Sequence, residues 1–367
     1  MDLAALSNRD GAFYVPAFVV RVDGKSLTDD LGIGVSQVDV DLTLGAAGRF
    51  SFTVVDTYDM EKRMFLSAFG WPVLEVLKFG AAVTVGVGYG DRASLVPIIA
   101  GLVTEITTTF GENGTPELAI AGYDYLFAMT LGKVSKSWTK SSDSDVVSEL
   151  AKQNNLTPDI EPTKDQHEQI EQNQESDFEF MKKLADRNHY EFYVDARRTL
   201  RFGPPRDKQD GVAILRWGEG LLSFKPEANL ATQVSSVEVY GWDPNTKEPI
   251  VGIAVAGEES GHDPQRKSGG EQVSGALFRK PVLQIRQPVF TQAEAKARAK
   301  AILNDKAKQF VTGEAECIGL TDLLPDRNVT LENLGNPFSK TYYIQQTTHK
   351  VDANGYRTRV KVKETTL

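Results

Sequence analysis

The sequence holds one cysteine, Cys317, and only four histidines among 367 residues. A single cysteine excludes an intramolecular disulfide framework and a cysteine-based zinc site. It sits in the alternating run Gly313-Glu-Ala-Glu-Cys317-Ile, where it reads as a small packed strand residue rather than a reactive thiol. Long apolar runs are also missing. None approaches the ~20 residues that a bilayer-crossing helix needs. The start, MDLAALSNRDGAFYV, has no basic segment followed by an apolar block, so it is not read as a signal peptide. Positive charge is not in excess: 41 basic and 50 acidic residues give a net charge of -9. The acidity is local, because residues 143–191 hold 13 Asp/Glu and 5 Lys/Arg. No basic footprint of a nucleic-acid binder is present, and neither nucleic acid nor membrane is expected as a partner.

What remains is a chain of ordinary globular composition, 41% apolar and 25% charged. Its length argues for two or three domains. The first ~125 residues alternate with the period of antiparallel strands. Val38 to Leu44 and Phe50 to Val54 are two such runs, with a turn at Gly45–Gly48. Residues 59–69 are expected to form a short helix. Val83 to Tyr89, Ile98 to Phe110 and Glu117 to Tyr123 follow as strands, the first two joined by a tight glycine hairpin. Closely spaced strands of this kind point to a barrel or sandwich.

The acidic middle changes period. A helix is expected after Ser144 as N-cap. Ser176-Asp177-Phe178-Glu179 is a capping box, with Phe180, Met181, Leu184 and Ala185 on one helical face. A β-hairpin, 190–194 with 200–202, comes next. From 212 the chain is β again: 234–240 with 250–256, then 312–318, 328–333 and the hairpin 341–350 with 356–364. Residues 257–280 are rich in glycine and charge, and are expected to be a mobile loop that orders against a neighbouring chain. Thr291-Gln-Ala-Glu294 opens a helix reaching about Phe310.

Candidate chemistry is sparse. Gly86-Val-Gly88-Tyr-Gly90 lacks the spacing and the following helix of a phosphate-binding loop. Ser137-Trp-Thr-Lys140 matches a serine–lysine nucleophile pattern but lies in a β-leaning stretch without its partner motifs. His167, His189, His262 and His349 have no metal-ligand spacing. Asp39 and Asp41 share a strand face that reads as solvated, and Glu168, Glu171 and Glu175 read as an acidic surface. No catalytic residue, cofactor or metal is assigned, and the chain is not expected to be an enzyme.

The order of motifs is more informative. Val83-x-Val85-x-Val87-Gly88-Tyr89 is followed by Gly101-Leu-Val-Thr-Glu-Ile and by Gly122-Tyr123-Asp124. Asp145-Val-Val-x-x-Leu-Ala and Gln172-x-Gln174-Glu-Ser-Asp177-Phe178 come next. Val237-x-Val239-x-Gly241-Trp242-Asp-Pro-x-x-Lys247 precedes the Ala-rich helix, and the chain closes on Tyr342-Tyr-Ile-x-x-x-Thr-His349 and Gly355-Tyr-x-Thr358. This series resembles the phage late control D family, the baseplate hubs of contractile tails and injection systems, which are similar to the N-terminal half of type VI secretion spike proteins. The resemblance spans essentially the whole chain.

It implies a mainly β fold with an α+β insert. Two antiparallel tail-tube-like β-barrels, 1–125 and 212–367, would flank a mixed α/β insert, 126–211. Gly88, Tyr89, Gly101, Tyr123, Asp177, Phe178, Gly241, Trp242, His349 and Gly355 are its signature positions. Gly257, His262, Arg266, Lys267 and Gly270 are a candidate partner-contact loop. The implied function is that of a homotrimer whose six barrels adapt a sixfold inner tube to a threefold spike within a baseplate assembled in the bacterial cytoplasm. Spike fusions continue into a needle; ending at Leu367, the chain would take its spike as a separate protein. A baseplate-borne cell-wall hydrolase and a β-rich receptor- or sugar-binding module are the alternatives. The second calls for clustered exposed aromatics, whereas Trp71, Trp138, Trp217 and Trp242 are scattered.

Overall fold

The structure, a computed structural model, describes residues 1–367 apart from 113, 244–246, 260–265, 279 and 290, leaving aside the side chain of 12. Strand accounts for 47% and helix for 19%, so the chain is mainly β, as its alternation implies. It divides into two compact units. The first is Met1–Pro205 with Cys317–Asp326 and Gln346–Arg359; the second is Arg206–Glu316 with Arg327–Gln345 and Val360–Leu367.

The first unit begins with α1 (Leu3–Arg9), β1 (Pro16–Val22), β2 (Lys25–Ser26), β3 (Gly34–Thr43) and β4 (Arg49–Val55). β5 (Tyr58–Asp59), β6 (Met64–Phe65), α2 (Val73–Val76), β7 (Ala82–Tyr89), β8 (Pro97–Thr109) and β9 (Glu117–Asp124) follow. The main sheet has the order β2-β1-β7-β8-β9-β4-β3, antiparallel throughout. Residues 346–351 add to it along β3. Period-two alternation sends Val38, Val40, Phe50, Phe52, Val54, Val83 and Val85 into one core. No ladder joins β1 to β3 among the described residues.

Two local readings change. Residues 59–69 form the β5–β6 hairpin instead of a helix. The Asp59 carboxylate accepts the Glu61 and Lys62 amides at 3.0 and 2.8 Å, which favours a turn over a helix, and Tyr58 meets Phe65 edge-on at 5.1 Å. The β7–β8 connection is not a tight hairpin. It spans 90–96 and holds a 3₁₀ turn, Arg92–Ser94, started by the Asp91 side chain.

The insert lies in the same unit. It comprises α3 (Leu126–Met129), β10 (Val134–Ser142), α4 (Asp143–Gln153), β11 (Thr157–Ile160), β12 (Gln166–Glu175), α5 (Asp177–Asn188), β13 (Glu191–Val194) and β14 (Thr199–Gly203). β10 pairs with β12, and β13–β14 is the expected hairpin, joined in parallel by β11. The capping box is present: Ser176 accepts the Glu179 amide at 3.1 Å and the Glu179 carboxylate accepts the Ser176 amide at 2.9 Å. α4 is capped two residues earlier than its spacing implied, by Ser142 with Asp145. The amphipathic faces of α4 and α5 meet over Val147, Leu150, Phe180 and Leu184, with Trp138 stacked on Phe180 at 5.5 Å.

The second unit contains β15 (Ala213–Trp217), β16 (Gly220–Ala228), β17 (Ser236–Asp243), β18 (Glu248–Val255), α6 (Gly269–Ala276), β19 (Val282–Arg286), α7 (Gln292–Ala307) and β21 (Asn328–Glu332). It also holds the greater part of β20 (Val311–Ile318) and portions of β22 (Lys340–Asp352) and β23 (Gly355–Glu364). The order β22-β21-β15-β16-β20-β23 returns to β22 and closes a six-stranded barrel.

This barrel departs from the antiparallel expectation, because β15 runs parallel to β21. Alternation marks which face of a strand is buried but carries no pairing direction, and these two strands are far apart in sequence. Strands 234–240 and 250–256 were expected in the barrel. They instead form a separate sheet, β18-β17-β19, whose inner face is covered by Ala295, Ala299 and Leu303 of α7.

The expected loop 257–280 contains α6. Ser268 and Glu271 make a full capping box. Gly269 and Gly270 reflect close packing, not freedom: a Cβ on them would lie 2.4 Å from Gln233 Oε1 and 2.6 Å from the Val234 carbonyl.

Candidate functional site

Two signature residues converge on one ring. Tyr89, at the end of β7, donates its hydroxyl to the Gly319 carbonyl at 3.0 Å and lies 5.6 Å from the Tyr356 ring. His349 is fully buried, with Nδ1 2.8 Å from the Tyr356 hydroxyl and 3.3 Å from Thr358 Oγ1. Gly355, with φ of +107°, turns the β22–β23 hairpin that carries this cluster. Burial pushes His349 down to about 4 and raises Tyr89 and Tyr356 above the ordinary phenol range. Tyr356 belongs to the closing Gly355-Tyr-x-Thr358 motif but is not among the ten signature positions. Its signal is its place between Gly355 and Thr358 in an alternating strand.

The other signature positions are structural neighbours in pairs. Gly101 faces the β9 backbone so closely that a Cβ would meet the Tyr123 carbonyl oxygen at 2.0 Å. Tyr123 itself stacks on Phe127 at 5.4 Å. Gly88 is the next-to-last residue of strand β7, before Tyr89. In the insert, Asp177 accepts from Asn154 at 2.9 Å and Gln172 at 3.0 Å, and Phe178 meets Phe192 edge-on. Gly241 and Trp242 are on β17. Gly241 lies against Val289, whereas Trp242 is 56% exposed. The turn that follows includes 244–246, outside the described residues.

The expected contact loop is not one patch. His262 lies outside the described residues. Gly257 turns with φ of +97° and gives its amide to Glu259 at 2.5 Å. Arg266 reaches the Pro337 carbonyl at 3.4 Å, the Lys267 carbonyl accepts from the Leu367 amide at 3.3 Å, and Gly270 is buried in α6.

The weighed chemical motifs are dispersed. Ser137 and Lys140 lie on strand β10, where no helical turn brings the lysine over the serine. His167 faces Asp143 at 3.7 Å, and Asp143 is held by Arg187 and Asn188. Asp39 is half-buried and raised by that burial, with Lys350 pulling the other way; Asp41 accepts from Thr348 at 2.6 Å. Cys317 is fully buried, as a packed strand residue should be. Among the described residues no group of three His, Cys, Asp or Glu is placed to hold a metal ion, and no helix is long and apolar enough to cross a membrane.

What the second unit offers is surface. On β18-β17-β19 the register aligns Ser236 with Val255 and Val282, Glu238 with Ile253 and Gln284, and Tyr240 with Val251 and Arg286. Ile253, Val255, Val282 and Trp242 are exposed on this outward side, and β18 and β19 are both edge strands. The apolar run Ile250-Val-Gly-Ile-Ala-Val255 signalled this: it is apolar at both parities, so both faces of β18 present hydrophobic side chains.

Residues 14–353 match the Alg8 N-terminal domain family. The chain belongs to this family. The family matched is not the late control D family; the expected likeness to phage tail and type VI secretion proteins holds at the level of fold. No curated protein matches the chain in sequence.

Solved structures with this fold include the 43 kDa tail protein of prophage MuSo2 from Shewanella oneidensis. It is 14% identical, with a TM-score of 0.70 over 95% of this chain and 98% of that one. The tail protein from Neisseria meningitidis MC58 is 15% identical, with a TM-score of 0.68 over 96% and 97%. An Escherichia coli component of the type VI secretion system is 12% identical, with a TM-score of 0.56 over 94% and 76%. At these identities the likeness is one of fold: this member of the Alg8 N-terminal domain family has the architecture of phage tail proteins from end to end.

Proposed function

We propose that the chain is a structural baseplate hub of a contractile tail or contractile injection system. In this reading three copies form a ring, and each contributes two six-stranded modules: the sheet β1-β7-β8-β9-β4-β3 and the closed barrel. Six modules would offer a sixfold inner tube matching contacts, while the opposite end keeps threefold symmetry for a central spike. The observation that carries the proposal is the two-way coverage of the tail-protein folds, 95% of this chain and 98% of the Shewanella one. An isolated domain borrowed for another task would match only part of each chain. The exposed edges of β18 and β19 fit a protein that completes its sheets in an assembly, since unpaired edges left bare invite aggregation. Inner tube protein, spike and other baseplate components are the proposed partners.

Native mass spectrometry of the purified chain, alone and with its cognate tube and spike proteins, tests this reading. A complex with three copies supports it; a chain that engages neither protein at any concentration overturns it.

A further inference from the structure

We propose that the free chain pairs with a second copy of itself through an apolar patch of the first unit, built on the β5–β6 hairpin, the turn 66–72 and Phe110. The inference rests on the first unit alone and does not depend on the hub reading. Met60, Phe69, Trp71 and Phe110 are each between 57% and 71% exposed, and Met64 and Leu74 are 39% and 44% exposed. Local pairing brings these side chains together. The Thr57 carbonyl accepts the Leu66 amide at 2.6 Å, and Leu66 bridges to Pro72, so the turn lies beside the hairpin. The Ser67 hydroxyl accepts the Phe69 and Trp71 amides at 3.2 and 3.1 Å and fixes the turn between them. Phe110, just after β8, closes on the hairpin at 5.5 Å from Tyr58 and 6.4 Å from Phe65. Phe65, Val73 and Leu77 are buried in the core of the main sheet, so the patch has a packed base.

Area and charge both point to a second copy. The exposed side chains present about 600 Å² of apolar surface, at the top of the ~300–600 Å² range for the largest patch of a monomer. A standard interface takes about 800 Å² from each partner, and in homodimers about 65% of it is apolar, or about 500 Å². The patch therefore supplies the apolar share of one side of a dimer. Its residue types, methionine and aromatics, are those enriched at interfaces. Interleaved with them in sequence are Glu61, Glu75 and Glu112 and, of opposite sign, Lys62, Arg63 and Lys78, all exposed. Balanced signs let a copy of the same surface approach without net repulsion, whereas a strongly acidic or basic partner gains nothing from them. A two-fold contact uses one patch on both copies and requires this self-complementarity.

Sedimentation velocity of the full chain from about 1 to about 100 μM reads the pairing. A dimer that gives way to monomer on dilution is expected. Met60→Glu and Trp71→Glu should each weaken it by about tenfold or more, because each places a charge on both sides of the two-fold contact. Met60 lies between the strands of an exposed hairpin, so its variant keeps the test open should Trp71→Glu not fold. Trp242→Glu, exposed on β17 and outside the patch, should leave the dimer unchanged. A monomer at every concentration, or a dimer that Met60→Glu leaves intact, overturns the proposal. So does a monomer that co-sediments with phosphatidylcholine–phosphatidylglycerol vesicles and loses them with Met60→Glu, which would assign the patch to a lipid surface. A trimer dispersed by Met60→Glu overturns the two-fold contact while the hub reading stands, since that reading is decided by copy number in the particle.

Discussion

The Tyr89 hydroxyl reaches the Gly319 carbonyl at 3.0 Å across 230 positions of sequence. A bond of that span tests whether the first unit is assembled from both ends of the chain. Tyr89→Phe keeps the ring contacts with Phe13 and Tyr356 and leaves the Gly319 carbonyl without this donor. The expected loss is about 1–2 kcal/mol in denaturant unfolding. An unchanged midpoint would show that the bond is not formed in solution.

Gly101 gives a sharper contrast. Gly101→Ala places a Cβ 2.0 Å from the Tyr123 carbonyl oxygen, within the β8–β9 ladder, so the strands must part. Gly111→Ala meets nothing within 4 Å and serves as the control. The first variant is expected to lose more than about 3 kcal/mol or to express insoluble, and the second to stay within about 0.5 kcal/mol. Equal melting temperatures for the two would rule out the close crossing.

Two buried groups give opposite pH slopes. Burial pushes the Asp124 carboxyl up to about 7, against the amides of Gly48 and Leu126 that it accepts. The folded chain therefore holds this proton where the unfolded chain has released it, and stability falls as pH rises from about 4 to about 7. His349, pushed down to about 4, does the reverse: its contribution is complete above about 6.5 and is lost as pH falls toward about 4. In the wild type these two contributions oppose each other through this window. Asp124→Asn should expose the rising slope and His349→Gln the falling one, each by roughly 3–4 kcal/mol over the full window. Parallel profiles for both variants and wild type would contradict both assignments.

Ser176→Ala removes the acceptor of the Glu179 amide at the start of α5. A cost of about 1 kcal/mol is expected, with exchange rising in the first turn of the helix. Ser142→Ala should do the same at α4. Loss of protection spread evenly over the whole insert would argue against a local cap.

Much of this architecture was legible from local patterns. The strands at Val38–Leu44 and Phe50–Val54, the Ser176 capping box and the closing hairpin each follow from period or cap chemistry that acts within a few residues. What was hidden depends on distant partners. The parallel pairing of β15 with β21 leaves no trace in alternation. Gly269 and Gly270 resemble a loop until Gln233 and Val234 are seen against them. Tyr89 and His349 each lie in a local motif, but their meeting through Tyr356 was hidden, because it joins strands far apart in sequence.

The central claim concerns place and copy number, and a cryo-EM map of the assembled particle measures both. Three copies of the chain at the junction of inner tube and spike, each presenting two modules toward the tube, are expected. Two or six copies around the axis, or a position away from the tube–spike axis, would contradict the hub assignment.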